Sequence, residues 1–519
     1  MLPPPSQIID NPKFSSWFPG QEEIAIEILD WLQSDKRFLC ANVPTGFGKS
    51  IITLVDGWLS GDKVVYMTAT KGLQGQLLED GRGVGMRRIE GQNSYTCIAS
   101  PPLTVDRASC HTGLVCPVKG SCEYYGALDE AKSARMVVTN YHYWLAQNHY
   151  GDGISQSQDY PLVIMDEGHL AGRALENHLT VSFTYQDLDK FGVATVAPEW
   201  SWEQWQLSSQ RIAGELWKEL QAVKGEAMSK PSPTTSRRYH QVKSLHMRML
   251  EIAGATEEWI REVTPSNISL CPLWPRTYNH RLFKGDKILI MSATLTRKGM
   301  DKLGVPEGDT HWIDAPSPFD PGNSPVHHLQ AIRVDSKTPP ENMVWWARKI
   351  DQIIEGRMGR KGIVFTVSYQ RAQLLQRLSE HSDIMFVHGS KDLVSTVERF
   401  KKSPAPAILV SPSVTSGWDF PGTECEYIVI GKVPWPDSRG ELMKARTKED
   451  RDWGAFLAME SVVQEAGRGT RSQQDRCEIF VVDDNWVWFW PKYREYSPYW
   501  FQQRVKGSLD MVPEILERR

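Results

Sequence analysis

Short apolar runs recur ten times along this 519-residue chain, each followed by polar, helix-like sequence. The first five are Phe38–Val43, Val64–Met67, Met136–Thr139, Leu162–Met165 and Ile288–Met291. The second five are Ile363–Thr366, Ile384–Val387, Ile408–Val410, Tyr427–Ile430 and Ile479–Val482. A strand buried on both faces reads as a continuous apolar run, not as an alternation. Such strands separated by helices make parallel sheets covered on both sides. The expected fold class is therefore α/β with two doubly wound parallel-sheet domains, and a chain of this length exceeds one hydrophobic core, so three or four domains in all are expected.

Two stretches interrupt the first set. Residues from about 88 to 135 carry four cysteines and little strand pattern, and residues from about 186 to 270 read as helical, with Trp205, Leu216, Trp217 and Leu220 spaced along them. No apolar run reaches the roughly 18 residues needed to cross a bilayer. The start, Met1-Leu2-Pro3-Pro4-Pro5, lacks the basic and apolar segments of a signal peptide. An intracellular protein without membrane attachment is expected. The net charge of −4 excludes a histone-like blanket of positive charge but not a confined basic channel.

The first run leads into Val43-Pro44-Thr45-Gly46-Phe47-Gly48-Lys49-Ser50, and Ile51 then starts another apolar stretch. Glycines at 46 and 48 let backbone N–H groups close around phosphate oxygens, and a following helix adds the positive end of its dipole. Lys49 would reach the β- and γ-phosphates of ATP, and Ser50 would hold Mg²⁺. Val43 stands where the strict phosphate-loop pattern has its first glycine. The fourth run ends in Asp166-Glu167-Gly168-His169. There Asp166 can bind Mg²⁺ and Glu167 can deprotonate an attacking water. Further on, Gln464-Glu465-Ala466-Gly467-Arg468-Gly469-Thr470-Arg471 sets Arg468 and Arg471 on one helical face, where they can neutralise charge on a γ-phosphate. Alone, each motif has a bland reading: a glycine turn, a solvated strand end, a basic helix end.

Cys97, Cys110, Cys116 and Cys122 lie within the first interruption, separated by twelve, five and five residues. Four thiolates can hold tetrahedral Zn²⁺ or an iron–sulfur cluster. The paired C-x2-4-C knuckles of structural zinc are absent, which favours iron–sulfur. Cys40 and Cys477 adjoin apolar runs and read as inert buried thiols.

Together these features resemble superfamily 2 helicases, and more narrowly the DinG/XPD-like iron–sulfur group. Thr68–Leu77 looks like motif Ia, Glu90–Cys97 like the approach to the first cysteine, and Val138–Tyr141 like the segment after the cluster domain. Met291–Leu295 matches motif III, and Ser317-Pro318-Phe319 matches a signature linking two motor domains. Ser416–Gly422 resembles motif V, Lys432–Pro436 the loop after it, and Gln464–Arg471 motif VI. Gln21 stands at the adenine-reading glutamine. The likeness runs in order over roughly residues 18 to 484. Three departures stand out: Gly168 replaces an alanine, Ser416 replaces a glutamate, and the helical insert is short for the family. No N-terminal nuclease domain is expected.

The resemblance implies catalytic roles for Lys49, Asp166, Glu167, Gln464, Arg468 and Arg471. It implies nucleotide contacts from Gln21, Thr45, Gly46, Phe47, Gly48, Lys49, Ser50, Gly417 and Asp419, with Mg²⁺ on Ser50 and Asp166. It implies a 4Fe–4S cluster on the four cysteines, and nucleic-acid contacts at Thr68, Thr70, Lys71, Gln74, Asn140 and Tyr141. Arg237, Arg238 and Lys243, from an acid-free stretch, read as strand guides or a solvated face. The aromatic tail from Trp486 to Lys506 reads as base-stacking or packing, with packing favoured.

The implied domains are 1–87, 136–185 and 271–322 for the first motor domain, 88–135 for the cluster, 186–270 for a reduced arch and 323–519 for the second motor domain. The implied activity is ATP-dependent, 5′-to-3′ movement on single-stranded DNA, with the cluster domain parting strands. The implied partners are single-stranded DNA, forked or tailed duplexes and RNA–DNA hybrids. A monomeric, cytoplasmic, nucleoid-associated motor follows. A translocase that strips protein or RNA from DNA, and a non-unwinding ATP-gated clamp, remain alternatives.

Overall fold

The computed structural model describes residues 1–517 apart from 45, 109, 111–113, 151–152, 155–159, 190–198, 231, 336, 415–417, 419, 471 and 473. All ten apolar runs lie in strands, which sort into two seven-stranded sheets. The first sheet runs Thr310–Asp314, Phe38–Asn42, Lys287–Ser292, Leu162–Asp166, Val64–Thr68, Met136–Asn140 and Arg87–Arg88, every pairing parallel. The second runs Met385–Val387, Ala407–Ser411, Lys361–Phe365, Tyr427–Ile430, Glu478–Val481, Val326–Leu329 and Val505–Leu509, again parallel throughout. The protein is thus α/β, with two doubly wound domains.

Each sheet is buried on both faces, and each face seeds its own core. In the first domain Leu39, Ala41, Val64 and Tyr66 point to one core, and Cys40, Val65, Met67 and Val137 to the other. Alternate residues of one strand feed opposite sides because the side-chain period is two. Cys40 and Cys477 are fully buried, as their apolar context implied, and burial pushes the Cys40 thiol up to about 12.

The helical stretch is a long hairpin, Trp202–Ser229 packed on Pro233–Ala253. Ser201 and Ser232 each close a capping box at its two helix starts. The hairpin springs from a small antiparallel sheet of Val181–Thr184, Asn267–Pro272 and Trp259–Val263, which sequence reading did not separate from the helices. Among the described residues no helix is long and apolar enough to cross a membrane.

The two sheet domains touch through a set of directional contacts. Trp500 Nε1 donates to the Ala293 carbonyl (3.0 Å), and Arg446 Nη2 bonds Glu176 Oε2 (2.7 Å). Lys298 Nζ meets Asp450 Oδ1 at 2.8 Å, and Trp274 meets Trp453 edge-on at 4.8 Å.

Candidate nucleotide and nucleic-acid sites

In a parallel sheet, loops at the carboxyl ends of the strands share one edge, and ligands gather there. The loop after Phe38–Asn42 holds Gly46 and Gly48 at φ 76° and 78°, a left-handed backbone that glycine adopts without strain. Gly48 then caps the helix Lys49–Leu59. Gln21 braces this loop. Its Nε2 donates to the Phe47 carbonyl (2.6 Å), and its Oε1 accepts from Phe18 N–H (2.8 Å). A side chain at Gly48 would collide with the Gln21 amide. Behind the loop the Tyr66 hydroxyl bonds Thr53 Oγ1 (2.9 Å) and Ser50. Tyr66 is hidden in an apolar run, so nothing in the sequence marked it.

Asp166 ends its strand 5% exposed. Burial, then the Glu167 carboxylate, raises its carboxyl to about 7, and Lys49 opposes the shift. The Glu167 N–H donates to Asp166 Oδ1 (2.9 Å), and the Tyr141 hydroxyl donates to the Asp166 carbonyl (2.6 Å). Glu167 sits at φ 50°, a conformation that costs a non-glycine residue energy and gathers at functional sites. His169 Nδ1 lies 2.7 Å from Ser292 Oγ, which in turn donates to Glu167 Oε2 (3.4 Å). Burial lowers the His169 pKa. Glu167 opposes that shift, whereas Lys49 and Arg468 reinforce it. A Cβ at Gly168 would strike Ile290 Cγ2, so the glycine that departs from the family pattern is required by the neighbouring strand.

The second domain faces this cluster with Gln464 and Arg468. Gln464 shares a cavity of about 430 Å³ with His169, Arg173, Thr294, Trp453 and Glu460. Arg468 Nη1 donates to the Trp418 carbonyl (3.0 Å). Its neighbour Glu465 is 4% exposed, and burial raises its carboxyl to about 8 against the pull of Arg468. Thr45, Gly417, Asp419 and Arg471 lie outside the described residues, as does Ser416.

The family model for a helicase C-terminal domain matches residues 352–504, which hold five of the seven strands of the second sheet. The DinG helicases of Mycobacterium tuberculosis and Mycobacterium bovis, titled ATP-dependent, are each 24% identical over 218 residues, 39% of this chain and 33% of the relative. The match thus spans a third of those relatives' length. A solved XPD helicase superposes with a TM-score of 0.65 at 15% identity, covering 95% of this chain and 100% of that one. The structure of S. tokodaii Xpd4 gives 0.59 at 14% identity, covering 94% and 99%. At such identity these two show the fold.

Residues 352–504 thus match the helicase C-terminal family, and the chain is similar in sequence to DinG helicases and in fold to XPD helicases.

The likeness to these proteins draws attention to the cysteine segment. All four of its thiols are free, with Cys97 buried and the other three half-buried. Burial raises the Cys110 thiol, and Cys116, Cys97 and Cys122 raise it further, so the four share one neighbourhood. The Tyr125 hydroxyl hydrogen-bonds Cys110 and offsets part of that rise. Among the described residues, no three Cys, His, Asp or Glu side chains are close enough to hold one metal ion. A tetrahedral zinc would need sulfurs about 3.8 Å apart, from Zn–S bonds of about 2.3 Å.

Of the DinG/XPD-like nucleic-acid positions, Lys71 is the exposed cation. Its Nζ bonds Ser94 Oγ (2.8 Å) and Glu90 (3.3 Å). Thr70 caps the helix Lys71–Asp80, and Asn140 Oδ1 accepts from the Tyr143 N–H (2.9 Å). Thr68, Gln74 and Tyr141 are buried, and both amide atoms of Gln74 lack a partner. On the hairpin, Arg237 and Lys243 are exposed. Arg238 instead pairs with Glu219 (2.5 Å) and Glu226 (3.9 Å) of the facing helix. The acid-free stretch is therefore acid-free only along the chain.

Proposed function

We propose that this protein is an ATP-dependent DNA helicase that moves 5′-to-3′ on single-stranded DNA. The observation that carries the reading is the meeting of two walls at His169. Its ring feels Lys49 and Glu167 from one domain and Arg468 from the other. A γ-phosphate placed there would have a cationic group on each side, the arrangement that phosphoryl transfer needs.

In the proposed reaction the loop Gly46–Ser50 cradles the phosphates and Lys49 neutralises their β and γ oxygens. Ser50 and Asp166 would hold Mg²⁺, which would neutralise part of the phosphate charge. Glu167 takes a proton from a water that attacks the γ-phosphorus. The bond to the β-bridging oxygen breaks, and ADP carries the electron pair away. Arg468 and Arg471 stabilise the charge that develops, and Gln464 reports the γ-phosphate to the second domain. Gln21, Thr45, Phe47, Gly417 and Asp419 complete the nucleotide site. The bond network from Glu167 through Ser292 to His169 ties this chemistry to the strand that leads into Ala293, where Trp500 of the second domain docks.

The cysteine segment is proposed to hold a 4Fe–4S cluster. Four free thiols in one neighbourhood support this reading. This segment would part strands at a fork, with the hairpin as a reduced arch. DNA as the substrate, tailed or forked duplexes as its form, and the domain divisions given above belong to the same proposal.

Strand displacement on partial duplexes bearing one 5′ or one 3′ tail tests the reading. Unwinding from the 5′ tail, with iron in the purified protein, is expected. Lys49→Ala and Glu167→Gln should each cut stimulated hydrolysis by at least ~100-fold. Preference for the 3′ tail rejects the direction, and near-normal turnover in either variant rejects the site.

A further inference from the structure

The aromatic tail is mostly packing, but not entirely. In the helix Trp486–Tyr493, Trp486, Phe489 and Tyr493 are buried, whereas Trp488 is 40% exposed. Trp435, on the loop leaving strand Tyr427–Ile430, is 36% exposed. The two indoles stack on each other with centroids 6.0 Å apart and planes 22° from parallel. Phe489 supports Trp435 edge-on at 5.4 Å, and Asn485 Oδ1 accepts from Trp488 Nε1 at 3.3 Å. Water-exposed indoles held in register this way are a preformed apolar surface, with little ordering left to be done on binding.

Their position narrows the occupant. Strands Tyr427–Ile430 and Glu478–Val481 are parallel neighbours, so both indoles rise from the carboxyl edge of the sheet. That edge also carries Arg371, just beyond strand Lys361–Phe365, and Lys432, three residues before Trp435. Burial disfavours the charge on Lys432 and Arg371 adds to that effect, with Asp483 and Asp335 opposing. Two half-buried cations beside a stacked pair of indoles match a polyanion with planar bases. Arg371 Nη2 already donates to the Asp335 carbonyl (3.2 Å), and phosphates alongside would add to that partner.

We propose that Trp435 and Trp488 form a base-stacking platform for single-stranded nucleic acid, with Lys432 and Arg371 facing the phosphates alongside. The proposal rests on the nucleic-acid reading above and assigns it a site on the second domain.

The test uses the full chain and fluorescence anisotropy at fixed salt. The probes are an oligothymidylate and the same sugar–phosphate backbone with a central abasic tract. Base-on-aromatic stacking is sequence-tolerant and worth roughly tenfold or more in affinity per base. Trp488→Ala and Trp435→Ala should each bind the oligothymidylate about tenfold more weakly, while Trp488→Phe keeps most of the affinity. The abasic tract should weaken the wild type by a similar factor and cost the alanine variants little more. Equal wild-type affinity for the two probes overturns the proposal without reference to any variant. So does an abasic penalty that survives in Trp488→Ala. If the wild type binds neither probe, the nucleic-acid reading falls and takes this inference with it.

Discussion

The two walls of the proposed nucleotide cleft are built differently. On the first domain nearly every polar group is already tied down: Gln21 to Phe47, Tyr66 to Thr53, Glu167 N–H to Asp166, His169 to Ser292. On the second, Arg468 leans on the Trp418 carbonyl beside a buried carboxyl, Glu465. One wall is preassembled to receive phosphate. The other stores its charge against its own backbone and can release it when the cleft closes. A motor that couples chemistry to domain movement needs this asymmetry, since a cleft complete on both sides would have no reason to move.

The sharpest way to break the comparison is at Arg468. If it supplies charge only in the transition state, Arg468→Ala should lower kcat on the order of 10³-fold, while the KM for ATP shifts no more than about threefold. An equal rise in KM would mean that this wall also binds the ground state, and the contrast would disappear.

Much of this was legible because buried parallel strands advertise themselves. Nine of the ten apolar runs became interior strands, and Met385–Val387 became an edge. The interior strand Val326–Leu329 escaped because His327 and His328 break its apolar run, and two others escaped because their side chains meet water. Thr310-His311-Trp312-Ile313-Asp314 and Val505-Lys506-Gly507-Ser508-Leu509 are edge strands with mixed polarity and half-exposed residues. The loop motifs were legible for another reason: phosphate chemistry demands particular residues at close spacing. What stayed hidden was pairing between distant segments. Glu219 neutralising Arg238 and Ile290 forbidding a side chain at Gly168 are facts of packing, with no local signature.

Gly168 offers a test of preassembly on the first wall. A methyl group there overlaps Ile290 Cγ2 on the next strand. Overpacking of this kind costs about 1–3 kcal/mol. It should also push the Glu167 turn away from Ser292. Gly168→Ala is expected to lower Tm by several degrees and slow hydrolysis about tenfold, and adding Ile290→Ala should restore much of the rate by removing the clashing methyl but not the Tm, since truncating this buried isoleucine itself costs about 2–5 kcal/mol. If Gly168→Ala behaves like the wild type, the wall tolerates slack and is less rigid than its bonds imply.

The smallest effect belongs to the second wall, and its sign follows from burial. The Glu465 carboxyl is raised from 4.5 to about 8, so the folded protein keeps a proton there that the unfolded chain has lost. Over that window the native state binds more protons than the unfolded one, and stability must fall as pH rises. Glu465→Gln is neutral throughout and should abolish this part of the slope. Between pH 6 and pH 8 the wild type should lose about 1–2 kcal/mol more than the variant, allowing for water reaching the site. Thermal melts of the two proteins at both pH values give the comparison. The variant should gain on the wild type as pH rises, because deprotonation charges a buried group in the wild type alone. If instead the wild type gains, the carboxylate is stabilised by its pairing with Arg468, and the second wall is as preassembled as the first.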